Sequence, residues 1–378
     1  MRLLVVTQHF WPSVGGAEVM LRRLAASWAK AGCQVLVLTQ RHDQNAPPAE
    51  TVDGFNVVRL PVLRWRLFGT LHYVATLRRE LAANEGAFDL VFVSMFKHAA
   101  YAALTTKWKN PPPIVLRAEG AGATGDMAWQ DSARFGSTIR AACQRADAFI
   151  APSAEIADEL RSREYRADAI HEIPNGVPIP DRPWRVEQVP AARKELGLPE
   201  RITIVYTGRL HADKGLSNLI DAVALLHQSL RPLTLCLVGD GPERAHLDRR
   251  VAERGLRDAV KFVGPVESVE PYLRAADLFV LPSYQEGLSV SLLEALGLGM
   301  PCAASHIPAN VGLVPLDLMT TFPIRDPAAL AAAIKGKLRA GPAPGKLAEQ
   351  RRLIAGRFSL EAAAQKHLDV FRASIKRR

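Results

Sequence analysis

The chain has 378 residues, 48 % hydrophobic and 23 % charged, a length suited to two domains and a composition that excludes a disordered or fibrous protein. Its formal charge of +10 is local: Lys335–Arg378 holds 12 Lys and Arg against three Asp and Glu, leaving about +1 for everything before it. A second basic stretch, Arg59–Arg79, has five arginines and no acid, so anionic surfaces are candidate partners.

The first residues, Met1-Arg-Leu-Leu-Val-Val-Thr, read as a β-strand and not as a signal peptide. Further strands are expected at Val35–Thr39, Asn56–Leu60, Leu90–Val93, Ile114–Arg117 and Ala148–Ala151. Helical spacing lies between several of them, as in Ala17–Ala31 with Leu21, Leu24, Ala25 and Trp28 on one face. Apolar runs alternating with helices predict a parallel sheet covered on both sides. Pro174–Pro199 carries six of the 26 prolines and reads as a linker, or else as a long surface loop.

The alternation then restarts. Strands are expected at Ile202–Thr207, Thr234–Val238, Val260–Val263 and Leu278–Leu281, with helices at Gly215–Gln228, Pro242–Arg254, Val269–Ala275 and Val290–Leu298. Ser359–Lys376 closes the chain as an amphipathic helix with Leu360, Ala364, Leu368 and Phe371 on one face. The pattern gives two tandem Rossmann-like, doubly wound α/β domains. No apolar run free of charge reaches the roughly 18 residues of a spanning helix. The four cysteines, Cys33, Cys143, Cys236 and Cys302, are too scattered for a disulfide framework or a zinc knuckle and suit a reducing cytosol.

Doubly wound sheets bind ligands beyond the carboxyl ends of their strands, so three loops matter. Gly15-Gly16 opens a helix after strand one, either as a plain tight turn or as a place where backbone approaches a ligand. It is not the dinucleotide G-x-G-x-x-G pattern. Gly208-Arg209 and Lys214-Gly215 follow the first strand of the second half. Two cations there suit a diphosphate, or are solvated surface charges. The third loop, Pro282–Ser289, precedes a helix and carries Glu286, with Glu294 inside the apolar helix; free amides around Gly287–Val290 would cap a phosphate between them. Glu286 and Glu294 are spaced so that a sugar nucleotide could use both, or Glu286 is a capping acid. Glu294 binds ribose hydroxyls or sits in a buried ion pair.

Glu286-x7-Glu294 followed by Gly299-Met300-Pro301 resembles the retaining family 4 glycosyltransferases of the GT-B fold. Also similar are Gly208-Arg209…Lys214-Gly215, Val238-Gly239-Asp240-Gly241-Pro242-Glu243, Pro174-Asn175-Gly176-Val177 and Gly15-Gly16-x-Glu18. The resemblance covers most of the chain, in the family's order. It implies two domains facing a cleft: residues 1–173 on the acceptor side, 174–358 on the nucleotide-sugar side, and a helix at 359–378 crossing back to the first domain. It implies that Arg209 and Lys214 hold the donor diphosphate, that Glu286 and the amides of Gly287, Leu288 and Ser289 meet the donor sugar, and that Glu294 binds the ribose. Gly15 and Gly16 would close over the donor, with Gly208 beside the diphosphate. Many relatives carry a histidine after the strand that ends at Arg117; here Arg117 or Glu119 stands in its place, with His98 either a lesser candidate or a structural residue at a helix start.

The implied donor is a nucleotide-diphosphate sugar, uridine first and guanosine next. No cofactor and no metal are expected, since two cations and a helix N-terminus stabilise the leaving phosphate. The implied acceptor is a glycan or lipid-linked saccharide. Arg59–Arg79, with Trp65, Phe68 and Tyr73 interleaved, suits an anionic membrane surface, or else an ordinary connection with its aromatics in the core. Together with the basic C-terminus it would hold a cytoplasmic protein at the inner face of the membrane. Nucleic acid is not expected. A catalytically degenerate sugar-nucleotide-binding protein and a GT-B epimerase are the competing readings.

Overall fold

The computed structural model describes residues 1–12, 15–62, 66–122, 125–227 and 233–377, without the side chains of residues 66–68. The chain forms two compact units. The first comprises Met1–Gly176 and Leu360–Arg378, and the second Val177–Ser359.

The first unit runs β1 (Arg2–Val6), α1 (Gly16–Lys30), β2 (Gln34–Gln40), β3 (Ala49–Val52), β4 (Phe55–Leu60), α2 (Arg66–Ala83), β5 (Leu90–Ser94), α3 (His98–Thr105) and β6 (Ile114–Arg117). It continues through α4 (Asp126–Ser132), α5 (Gly136–Cys143), β7 (Ala148–Ala151), α6 (Ala154–Ser162) and β8 (Ile170–Glu172). The strands form one sheet in the order β3-β4-β2-β1-β5-β6-β7-β8. All neighbours are parallel except β3 and β4. The β3–β4 hairpin turns on Asp53 and Gly54, both with positive φ, the geometry that an Asp-Gly pair favours. Neither β3 nor β8 was expected from the sequence: β3 is a polar edge strand without an apolar run, and β8 has three residues.

Strand alternation sends side chains to opposite faces of this sheet. Leu4, Val6, Val91, Val93, Leu116 and Phe149 pack with Leu77, Ala103, Ile139 and Ile156 of the helices on one face. On the other, Trp28 of α1 and Phe92 of β5 meet the last helix.

The second unit runs α7 (Val189–Glu195), β9 (Ile202–Thr207), α8 (Leu216–His227), β10 (Leu233–Val238), α9 (Arg244–Glu253), β11 (Val260–Gly264), α10 (Glu270–Arg274) and β12 (Leu278–Leu281). Then come α11 (Val290–Leu298), β13 (Cys302–Ser305), α12 (Pro308–Val311), β14 (Thr320–Phe322), α13 (Pro327–Ala340) and α14 (Pro344–Phe358). Its six strands are all parallel, in the order β11-β10-β9-β12-β13-β14. The order reverses between β9 and β12, which makes their carboxyl ends the switch point where such sheets open a crevice. Here β13 and β14 were missed, because Cys302–Ser305 is short and small and Thr320–Phe322 has only three residues.

The final helix, α15 (Leu360–Lys376), returns to the first unit and packs on α1, burying Leu360, Ala364, Leu368 and Phe371. Phe371 meets Trp28 edge-on at 5.2 Å.

Two expectations need correction. Pro174–Pro199 is not a free linker: beyond Gly176 it belongs to the second unit. Trp184 is buried there and donates to the Ala276 carbonyl at 3.1 Å, and the Arg193 guanidinium pairs with Asp277. Within Arg59–Arg79, Arg59 is not a surface cation. Its side chain is 2 % exposed, paired with Glu50 of the edge strand and bonded to the carbonyls of Trp11 and Pro47. Tyr73 is a core residue, and Arg78 bonds Thr105 and lies over the Tyr101 ring. Arg64, Trp65 and the side chains of Arg66 and Phe68 lie outside the described residues, as do Ser13, Val14, Gln228 and Arg378. None of the four cysteines is bonded to another, and among the described residues no helix is long and apolar enough to cross a membrane.

Candidate functional site

The two loops at the β9/β12 switch point meet. The loop after β9 turns through a short 3-10 segment, Ala212–Lys214, closed by Gly215 at φ +63. A Cβ on Gly215 would lie 2.2 Å from the Pro282 carbonyl oxygen, so only glycine lets the two loops approach this closely. The Tyr284 amide donates to the Asp213 carbonyl at 2.8 Å and fastens the second loop to the first. Lys214 Nζ then reaches Glu286 Oε1 at 2.8 Å, and Ser283 Oγ donates to the same oxygen at 2.6 Å. The Glu286 side chain is 10 % exposed and that of Lys214 25 %. A carboxylate and an ammonium are thus held at the carboxyl ends of neighbouring strands.

Arg209 extends from the same loop. Tyr206 Oη donates to the Arg209 carbonyl at 3.0 Å and fixes its backbone, while its guanidinium is exposed, with no ion-pair partner among the described residues. Burial raises the Tyr206 phenol, and the Glu286 charge adds to that, so Tyr206 acts as a neutral donor. Gly208 packs back to back with Gly239, where a Cβ would sit 2.1 Å from the Gly208 carbonyl oxygen. Gly287 and Leu288 lead into Ser289, the N-cap of α11, whose Oγ accepts from the Leu292 amide at 3.4 Å. The first-turn amides of α11 have no intrahelical carbonyl to donate to and give that end of the helix a positive potential. Glu294 lies further along α11, half-buried. The structure therefore brings together Gly208, Arg209, Lys214, Glu286, Gly287, Leu288 and Ser289 on two adjoining loops, with Glu294 on the helix that follows.

The other expected residues belong to the first unit. Gly15 is the extended N-cap of α1 and faces the Glu18 carboxylate, which a Cβ there would meet at 2.2 Å. Gly16 has open space where a Cβ would project. Glu119 is buried: Arg117 pairs with its Oε1 and Ser94 Oγ donates to it at 2.7 Å. Burial pushes its carboxyl up, opposed by the Arg117 charge and these hydrogen bonds. Arg117 also donates to Asn175 Oδ1. His98 opens α3 and meets Trp129 edge-on at 5.1 Å, and burial followed by the nearby Lys97 lowers its proton affinity.

A basic group that the sequence did not single out stands at the carboxyl ends of β1, β2 and β5. The His9 and His42 rings stack at 4.3 Å with their planes 15° apart. His42 Nε2 lies 3.2 Å from the Gln8 carbonyl, so that nitrogen donates. Burial lowers the His9 pKa first, then the charges of His42 and Lys97. The available signal was position alone: each of the three stands two or three residues past a strand end.

Comparison with known proteins agrees with this geometry. Residues 15–176 match the family described as "Glycosyl transferase 4-like domain", and residues 201–339 the family described as "Glycosyl transferases group 1". The chain is 30 % identical over 326 residues to a D-inositol 3-phosphate glycosyltransferase of Jonesia denitrificans, covering 78 % of this chain and 75 % of that protein. Sucrose-phosphate synthase from Thermosynechococcus elongatus superposes with a TM-score of 0.81 at 23 % identity, over 100 % of both chains. Anabaena HepE, solved in complex with UDP-glucose, superposes with a TM-score of 0.77 at 20 % identity, over 99 % of this chain and 100 % of that one.

Proposed function

Because this chain belongs to the family 4 glycosyltransferases of the GT-B fold, we propose that it moves a sugar from a nucleotide-diphosphate sugar to a glycan or lipid-linked saccharide. The transfer retains anomeric configuration, needs no metal ion, and serves polysaccharide, glycolipid or cell-envelope synthesis. The observation that carries this reading is the Lys214–Glu286 pair at the β9/β12 switch point, with Arg209 and the start of α11 beside it.

Cleaving a glycosyl phosphate bond builds charge on the leaving diphosphate. Arg209 offers a planar fork and Lys214 a point charge to that group. The amides of Gly287, Leu288 and Ser289 and the N-terminus of α11 add fixed positive potential that needs no reorganisation during reaction. Glu286, oriented by Lys214 and Ser283, contacts the donor sugar hydroxyls, and Glu294 the ribose. Gly208 keeps the backbone free of a side chain against the donor. The acceptor hydroxyl attacks on the face the phosphate leaves, and the departing phosphate oxygen takes its proton, so no second carboxylate is required. Glu119 acts through Arg117 by shaping the first unit's strand ends.

Uridine is the proposed base, a reading supported by HepE, which was solved with UDP-glucose. On the acceptor side, His9, His42 and Lys97 are the polar groups proposed to meet the acceptor. The cytoplasm is the proposed location, in keeping with three buried free thiols, with the basic C-terminal end and exposed Arg79 facing an anionic membrane surface. The alternative of a degenerate sugar-nucleotide binder draws on one observation, that Arg117 and Glu119 are consumed by each other.

The test is a thermal-shift screen with UDP-, GDP- and ADP-sugars, repeated on Glu294→Ala and Lys214→Ala. Turnover is then followed by NMR of the product's anomeric proton. Stabilisation of the unmodified chain alone, with retained configuration, supports the proposal. Binding with neither transfer nor donor hydrolysis would leave the degenerate reading.

A further inference from the structure

Among the buried polar atoms of the first unit that have no hydrogen-bond partner among the described residues, three come from side chains packed around one strand pair: Trp28 Nε1, Arg117 Nε and His367 Nε2. Each belongs to a side chain no more than 1 % exposed. They also lie on one face of one sheet. Trp28 of α1 meets Phe92 of β5 at 5.3 Å, and His367 of α15 meets Trp28 at 5.7 Å and Phe92 at 6.1 Å. Phe92 pairs with Val115 in the β5–β6 register, and Ser94 with Arg117. Side chains two residues apart on a strand share a face, so Arg117 stands one pleat beyond Val115, on the side of the sheet that Phe92, Trp28 and His367 occupy.

The protonation of His367 follows from its other nitrogen. Nδ1 lies 2.7 Å from the Ala363 carbonyl oxygen. A carbonyl only accepts, so Nδ1 carries the proton. Burial, with the Arg117 charge as a second cause, holds the pKa at about 3, so the ring is neutral. Nε2 is therefore a bare acceptor. Trp28 Nε1–H and Arg117 Nε–H can only donate. Two donors and one acceptor are the complement of one water molecule, and a buried polar group left unpaired is destabilising.

We propose that one buried water accepts from Trp28 Nε1–H and Arg117 Nε–H and donates to His367 Nε2. This site makes Arg117 a node. Its Nη1 holds Glu119 and its Nη2 holds Asn175. Asn175 is the residue before Gly176, where the chain leaves the first unit, and His367 sits on the helix by which it returns. Through the water, one guanidinium fastens both ends. His367 is then a positioning residue: it acts on Glu119 and Asn175 only through Arg117. The proposal is independent of the glycosyltransferase reading.

Two measurements on the full chain test it. The first is a crystal structure of the unmodified protein at a resolution that shows ordered solvent. A density peak within hydrogen-bond distance of all three atoms is expected; a site without one overturns the proposal, whatever the variants do. The second is thermal melting of His367→Phe, which keeps the ring contacts, and of Trp28→Phe. Each should lower Tm by roughly 3–8 °C, the effect of leaving buried groups unpaired. The double variant should lose clearly less than the two together, because the same water is lost once. His367→Gln, whose Oε1 can accept, should recover part of the loss. Equal or higher stability of His367→Phe, or strictly additive losses, would mean a dry site and sink the idea.

Discussion

Lys214 Nζ lies 2.8 Å from Glu286 Oε1, joining residues 72 positions apart in sequence across the carboxyl ends of β9 and β12. The pair orients the carboxylate and leaves the ammonium one-quarter exposed.

Lys214→Ala is expected to lower kcat/KM by about 10²–10³-fold, the usual effect of removing one preorganised donor to a developing charge. Glu286→Gln should act mainly on kcat, since it keeps the shape and removes the charge facing the sugar. Steady-state kinetics on a fixed acceptor separate the two. Unchanged kcat/KM in Lys214→Ala would remove the diphosphate role.

Gly215→Ala should be destabilising as well as inactivating. Its φ is +63 and the new Cβ would meet the Pro282 carbonyl at 2.2 Å. Strain and displacement should cost at least about 2 kcal/mol, a fall of roughly 4–8 °C in Tm. Gly16→Ala has open space at its Cβ and should keep the wild-type Tm. Differential scanning calorimetry compares them directly.

His367 supplies a pH dependence. Its folded pKa is depressed to about 3 from 6.5, so the unfolded chain takes up a proton over a range where the folded chain does not. The stability it contributes is therefore complete above about pH 6.5 and is lost as pH falls from there toward 3, at up to about 1.4 kcal/mol per pH unit. Denaturant unfolding of wild type and His367→Phe between pH 7.5 and 5 should show a shallower slope in the variant. Identical slopes would place the titration elsewhere.

EDTA treatment should leave the initial rate unchanged, and added magnesium should not raise it, if Arg209, Lys214 and the α11 amides neutralise the diphosphate. Loss of rate on chelation, restored by a divalent ion, would contradict the metal-free mechanism.

His42→Ala with Lys97→Ala should raise KM for the acceptor while leaving the affinity for UDP unchanged. Calorimetric titration with UDP beside acceptor kinetics distinguishes this from a general loss of fold. A matched fall in UDP affinity would dissociate these residues from acceptor recognition.

The sequence by itself determined the two parallel-sheet units and the expected donor loops. Apolar runs alternating with helical spacing are local signals, and Arg209, Lys214 and Glu286 stand in loops just past strands that those signals locate. It also marked the final helix, through the stripe ending at Phe371. Short or polar strands such as β3 and β14 carry no such stripe, because their pairing comes from neighbours already in place. Only the tertiary structure decided which charges are spent. Arg59 looked like a surface cation until Glu50 of the hairpin covered it. Glu119 looked available until Arg117 and Ser94 took its carboxylate. His367 gained its ring contacts from α1 and β5. Periodicity states which face of an element is apolar, but the partner of a buried polar group is set by long-range packing, which no local pattern encodes.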